Sequence, residues 1–239
     1  KEKTINKFYI TTTLPYANAI PHVGHAIEFF QADAYARYFK KKLGKENVFF
    51  NVGVDEHGLK VFTTAHDHDT TPEKYLDALV PEWLSFCSKF RIEHDHFYRT
   101  SAEDHHVGSK RVWEICNEKG DIYKKHYEGL YCVGCESFYL ERDLIDGKCP
   151  DHGTVPVKYS EENYFFQLSK YSQAIISYLE ENPDFLKPAA KKQELLNFLK
   201  DMEDISISRN RKNLPWGIEV PNDPEHTIYV WFDALTNYI

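Results

Sequence analysis

Between Thr11 and Tyr38 the chain reads T-T-T-L-P-Y-A-N-A-I-P-H-V-G-H-A-I-E-F-F-Q-A-D-A-Y-A-R-Y, and no other stretch restricts the fold as strongly. Phe8-Tyr9-Ile10-Thr11-Thr12-Thr13, leading into it, is β-branched and aromatic, the makings of a buried strand. Ile27, Phe30, Ala34 and Tyr38 then recur at helical spacing. At the junction stand His22 and His25, with Pro21 fixing the entry and Gly24 allowing a ligand close to the backbone. The free N–H groups of a helix start attract anions together with the helix dipole, and two imidazoles add donors. The pattern therefore predicts a phosphate grip built without a lysine loop. Taken alone, H-x-G-H also describes two surface histidines in a turn; the flanking strand and helix favour the grip.

Asn47 to Val54 is a second strand after a turn at Leu43-Gly44-Lys45. Strand, helix and strand make a βαβ unit, for which a right-handed parallel crossover is expected. Ligands of such sheets gather beyond the carboxyl ends of the strands. Leu14-Pro15-Tyr16 and Asp55-Glu56-His57-Gly58 both lie at strand exits, so they are expected to meet, although D-E-H-G by itself also suits a solvated turn. His66-Asp67-His68-Asp69 is read as a solvated loop, not a metal cluster. Tyr75 to Phe90 is an amphipathic helix that Pro81 should kink or divide. Thr100-Ser101-Ala102-Glu103 is read as a capping box opening a helix that ends before Gly120. Helices are predicted at about 170–181 and 189–200 after a strand-like run from Glu162 to Leu168, and Ile205 to Arg209 alternates.

Five cysteines, three of them within one short stretch, fit a reduced compartment and a metal better than a disulfide frame. Cys132-Val133-Gly134-Cys135 and Cys149-Pro150-Asp151-His152 supply three thiolates and an imidazole, a closed tetrahedral set for a structural zinc ion. The segment between them has little apolar material, so the metal should supply its folding energy. A formal charge of -8 advertises no global basic surface, so any RNA contact is local. No apolar run is long enough to span a bilayer and no signal peptide is visible, which points to the cytosol. The closing run His226 to Ile239 suits a buried strand turning to helix near Asp233, with Trp231 and Tyr238 as core aromatics on periodicity alone.

Pro21-His22-Val23-Gly24-His25 resembles the first signature of the class I aminoacyl-tRNA synthetases, with Val23 where isoleucine or leucine is more usual. Leu14-Pro15-Tyr16-Ala17-Asn18 points within that class to the methionine-specific branch, and Tyr229-Val230-Trp231-Phe232-Asp233-Ala234-Leu235 agrees. The resemblance implies an α/β fold: a Rossmann-like parallel sheet that binds nucleotide, interrupted by a connective insertion carrying zinc knuckles. On that basis residues 1–115 form the first half of the catalytic domain, 116–225 the insertion, and 226–239 a truncated return to the catalytic domain. It further implies ATP with Mg2+ held by His22, Gly24 and His25, the histidines being catalytic. Methionine would lie among Leu14, Tyr16, Asp55, Trp231, Leu235 and Tyr238, its α-ammonium on Asp55, and Arg209 is a secondary candidate. An apolar pocket separates near-isosteres by only about 1–3 kcal/mol, so the thioether should also meet the Tyr16 hydroxyl.

The activity so implied is ATP-dependent formation of methionyl-adenylate and transfer of the acyl group to tRNA(Met). Such enzymes continue to a lysine-rich Lys-Met-Ser-Lys-Ser signature and a helical anticodon-reading domain, neither of which stands in this sequence. A catalytic-domain fragment is therefore expected, one that binds methionine without turning over ATP on its own. Two alternatives stay open: a synthetase of the same fold for another amino acid, and a non-catalytic zinc-bearing RNA-binding piece.

Overall fold

The computed structural model describes residues 6–135 and 137–239. Strand β1 (Phe8–Thr11), helix α1 (Val23–Leu43) and strand β2 (Val48–Val54) come first. Helices α2 (Leu59–Asp67) and α3 (Pro72–Lys89) follow, then β3 (His96–Arg99) and α4 (Glu103–Glu118). β1, β2 and β3 form one parallel sheet with β2 in the middle, registered Phe8 to Val48 and Asn51 to His96. Parallel neighbours need crossovers long enough to carry a helix, and α1 and the α2–α3 pair supply them. The fold is thus mixed α/β around a parallel sheet.

The main core packs β2, through Phe50, Val52 and Val54, against Phe29 of α1 and Leu76, Val80, Trp83 and Phe86 of α3. The face of α1 that meets the core is not the one its bulky residues predict. Ala26, Phe29, Ala32, Asp33 and Ala36 are buried, whereas Ile27, Phe30, Ala34 and Tyr38 are exposed. Alanines let the helix lie close to the core, so small residues mark the inner face here. Trp83 is fully buried, with its ring 4.8 Å from that of His25. Trp83→Ala is expected to cost about 3–5 kcal/mol, read as a shift of the urea unfolding midpoint.

Three further expectations are corrected. Pro81 does not divide α3, which runs unbroken from its Thr71 cap. The Thr100–Glu103 box does not form: α4 is capped by Ala102 with no side-chain bond. Thr100 and Ser101 turn instead to Glu56, the Thr100 hydroxyl accepting from its N–H and the Ser101 hydroxyl donating to its carboxylate. His66 and Asp67 are exposed as predicted, but they end α2, a helix that sequence reading missed.

The rest is antiparallel. β4 (Ile122–Cys132), β5 (Ser137–Tyr139), β6 (Val157–Phe166) and β7 (Ile205–Ser206) make one sheet in the order β5-β4-β6-β7. The β4–β6 pair is ten residues long and carries the two cysteine-bearing turns at its far end. Helices α5 (Ser172–Glu181) and α6 (Ala189–Lys200), close to their predicted bounds, pack through Leu179 and Leu199. β8 (Ser208–Asn210), β9 (Glu219–Val220) and β10 (Asp223–Ile228) form a small sheet with β10 central. The alternating run at 205–209 therefore serves two sheets. The closing strand ends at Ile228, and α7 (Val230–Leu235) begins before Asp233, because Tyr229 caps it in extended conformation. No helix of the described residues is long and apolar enough to cross a membrane.

Candidate active site and metal centre

Both predicted strand exits meet. Tyr16 and Asp55 form a parallel bridge; the Asp55 N–H donates to the Pro15 carbonyl at 2.9 Å and its carbonyl accepts from Ala17 at 2.7 Å. Asp55 is 8% exposed, and the Thr100 hydroxyl lies 3.5 Å from its Oδ1. Its two neighbours are turned into the fold and bonded there. Glu56 is fully buried, with Oε1 accepting from Arg99 Nε at 2.8 Å and its carbonyl accepting from Trp216 Nε1 at 2.6 Å. His57, equally buried, donates from Nδ1 to Asp233 Oδ2 at 3.0 Å.

Tyr16, Asp55 and Trp231 line one cleft of about 220 Å³, together with Asn18, Lys60, Gly134, Cys135 and Val230. Thus the segments that follow β1 and β2, the first turn of α2, the turn bearing Gly134 and Cys135, and α7 all contribute walls. Trp231, predicted on periodicity to be core, is 56% exposed and also lines a larger neighbouring cleft of about 440 Å³. Arg209 lines that larger cleft. It is buried, with its guanidinium 3.7 Å from the Tyr229 ring centroid and Nη1 donating to the Ser206 hydroxyl at 2.9 Å. The remaining predicted residues lie off the smaller cleft. Leu14 is buried, and its N–H donates to the Tyr238 hydroxyl at 2.8 Å, tying the first loop to the last turn. Leu235 is 56% exposed. Lys60 was missed because α2 was missed: it sits in the first turn of that helix, five residues after Asp55.

At the mouth of α1 the histidines form a capping box of their own. His22 Nδ1 accepts from the Gly24 N–H at 3.1 Å, and His25 Nδ1 accepts from the His22 N–H at 3.2 Å. The rings stack 3.9 Å apart. Because the His25 N–H also bonds to the His22 carbonyl, the helix start is largely self-satisfied. The expectation of free backbone donors there is corrected: imidazole Nδ1 acts as a serine or aspartate cap would. An accepting Nδ1 puts the proton on Nε2, so each neutral ring keeps one outward donor. Burial, then the neighbouring His22, lowers the pKa of His25, which favours that neutral form. A Cβ on Gly24 would meet the His22 ring at 2.8 Å, so the glycine makes room for the cap.

Among the described residues, Cys132, Cys135, Cys149 and His152 form a group whose ligand atoms all lie within 4.8 Å of one another. Cys135 Sγ is 3.4 Å from Cys149 Sγ and 3.1 Å from His152 Nδ1, and all the cysteines are free. Zinc–sulfur bonds of about 2.3 Å and tetrahedral angles imply ligand separations of about 3.5–3.8 Å, which the observed spread brackets, and three thiols with one imidazole are a donor set that suits zinc. Gly134 is required by contact: an added Cβ would meet the His152 ring at 2.5 Å. Gly134→Ala is expected to weaken zinc retention at least tenfold in competition with a chromogenic chelator.

The family model described as tRNA synthetases class I (M) matches residues 8–155 and 152–239. Over 234 residues the chain is 44% identical to the methionine–tRNA ligase of Caldanaerobacter subterraneus, covering 97% of this chain and 36% of that protein. It is 43% identical to that of Clostridium acetobutylicum, covering 98% and 36%. The structure of Mycobacterium tuberculosis methionyl-tRNA synthetase in complex with methionyl-adenylate superposes with a TM-score of 0.90 at 38% identity, covering 98% of this chain and 46% of that one. The free-state structure of the same enzyme gives 0.79 at 34% identity, covering 100% and 46%. The chain therefore spans between about a third and a half of the length of these relatives. With its parallel sheet, the H-x-G-H helix mouth and the Cys3His group in place across the matched residues, the chain belongs to the class I tRNA synthetases (M).

Proposed function

We propose that this chain is the part of a methionine–tRNA ligase that binds methionine and the phosphates of ATP, for charging of tRNA(Met) in the cytosol. The observation that carries the reading is the cleft shared by Tyr16, Asp55 and Trp231, which lie far apart in sequence. Relatives bearing the name methionine–tRNA ligase, and a similar structure described as holding methionyl-adenylate, support it. The three-stranded parallel sheet is read as the first half of a Rossmann-like domain, residues 1–115. Residues 116–225 are read as a connective insertion and 226–239 as the return.

Asp55 receives the α-ammonium, a charge-assisted bond in a half-enclosed site. The thioether lies against Trp231, and the Tyr16 hydroxyl supplies the polar contact that separates sulfur from methylene. Leu14 and Tyr238, bonded to each other off the cleft, and exposed Leu235 complete the methionine site in this reading. His22 and His25 direct their Nε2–H donors at the triphosphate of Mg-ATP as the substrate carboxylate attacks the α-phosphate and pyrophosphate leaves. No group of the protein is acylated, so these residues act by orientation and charge stabilisation. Zinc on the Cys3His group would close the turn that carries Gly134 and Cys135, and so hold one wall of the cleft.

In a full-length ligase carrying this chain, His22→Ala is expected to slow methionine-dependent adenylate formation about a hundredfold, the loss of roughly 3 kcal/mol for one transition-state donor, and to leave methionine affinity unchanged. Rapid-quench measurement of adenylate checks the first half and calorimetry the second; an unchanged rate removes His22 from the step. The reading as a whole is tested by calorimetric titration of the chain with methionine against leucine, isoleucine, valine and cysteine. Preference for another of these transfers the site to that amino acid, and no binding by any of them removes it.

A further inference from the structure

Asp233 is fully buried in α7, two residues after Trp231. Its Oδ2 accepts from His57 Nδ1 at 3.0 Å, while its Oδ1 has no hydrogen bond and lies 3.7 Å from His105 Nε2. His105 Nε2 is 3.2 Å from the Ser109 hydroxyl, which is 2.7 Å from the Thr236 hydroxyl. Thr236 donates in turn to the Asp233 carbonyl at 2.6 Å. The protons run one way: His105 Nε2–H to Ser109, Ser109 to Thr236, Thr236 to the backbone of Asp233. His57, His105, Ser109 and Asp233 are each at most 2% exposed.

A carboxylate at this depth is costly beside an apolar residue of the same size, so packing alone does not account for it. Its placement does. His57 is two residues from Asp55, Asp233 is two residues from Trp231, and Asp55 and Trp231 stand on the same cleft. Trp231 is itself more than half exposed, and α7 carries it. We infer that His57 and Asp233 are positioning residues: their buried bond fixes the separation of the Asp55 and Trp231 walls, and the His105–Ser109–Thr236 chain orients the Asp233 end. The inference rests on the methionine reading of the cleft.

The test compares two substitutions that differ in where they put a donor. The side-chain amide nitrogen of asparagine falls near the imidazole Nδ1 position, and that of glutamine near Nε2. His57→Asn should therefore keep the bond to Asp233 and stay within about threefold of the unmodified methionine Kd. His57→Gln should raise the Kd at least tenfold, and Thr236→Val, at a partly buried site that leaves the His57 bond intact, severalfold. Urea unfolding and circular dichroism establish that each chain is folded under the binding conditions. In 5-fluorotryptophan protein, the Trp231 resonance, assigned through Trp231→Phe, should move or broaden in His57→Gln and not in His57→Asn. Equal Kd values for folded His57→Asn and His57→Gln, with an unmoved Trp231 resonance, overturn the inference. If the His57 variants do not fold, an unchanged Kd and resonance in Thr236→Val overturn it instead. If the unmodified chain binds no methionine, the site reading falls, and the Trp231 resonance decides separately whether the bond holds that side chain.

Discussion

Stripping the metal from Cys132, Cys135, Cys149 and His152 is expected to unfold the turn-bearing end of the β4–β6 arm and, in the same titration, to abolish methionine binding. The first effect follows from composition. Around the ligands, residues 140–148 are all exposed save half-buried Leu144, and Val133 and Val155 are exposed as well. With so little apolar burial, ligand–metal bonds must provide the ordering energy, roughly 10 kcal/mol or more in small zinc modules. The second effect follows from position. Gly134 and Cys135 line the cleft beside Asp55 and Trp231, so a disordered turn removes a wall. The measurement is a chelator titration followed by zinc release, by amide exchange across 130–155 and by methionine calorimetry. Retained affinity in metal-free protein would show that the turn only borders the site. Cys149→Ser should reproduce the result, whereas Cys87→Ser should not alter zinc content: Cys87 is a core thiol of α3 whose pKa burial pushes up to about 11.

The position of the cysteine turn beside the cleft was half legible in the sequence. The ligands were, because C-x-x-C and C-x-x-H have few other uses at that spacing. Their place beside Asp55 was not, because it depends on the ten-residue β4–β6 register, and β4 mixes Tyr123, Lys124, Lys125 and His126 in no clear alternation. The βαβ unit was legible for a related reason: β2 is buried almost throughout, so its apolar run declares itself without alternation. The inner face of α1 was not, since Ala26, Ala32 and Ala36 carry less hydrophobic weight than the exposed Ile27, Phe30 and Tyr38. Thr100 and Ser101 show a third limit. A capping pattern read locally was overridden by a buried carboxylate 45 residues away, that of Glu56. Local signals fail where a buried charge has first claim on the nearest donors.

Asp55→Asn is expected to weaken methionine binding about a hundredfold and leave the fold intact. The two bonds that hold Asp55 in the bridge with Tyr16 are backbone bonds to Pro15 and Ala17, which an amide side chain does not disturb. The Thr100 hydroxyl beside Oδ1 can donate to an amide oxygen as it does to a carboxylate. What changes is charge. Truncating one partner of a buried, hydrogen-bonded ion pair costs about 2–5 kcal/mol, of which roughly 3 kcal/mol corresponds to the hundredfold expected here. The control is 4-(methylthio)butanoate, which keeps the thioether and the carboxylate and lacks the ammonium. It should bind the unmodified chain weakly and Asp55→Asn no more weakly, because its affinity owes nothing to the carboxylate. A fall of equal size for both ligands would mean that Asp55 shapes the cleft and meets no cation. A fall confined to methionine fixes the ammonium at Asp55, and with it the direction in which the substrate carboxylate must point toward the nucleotide.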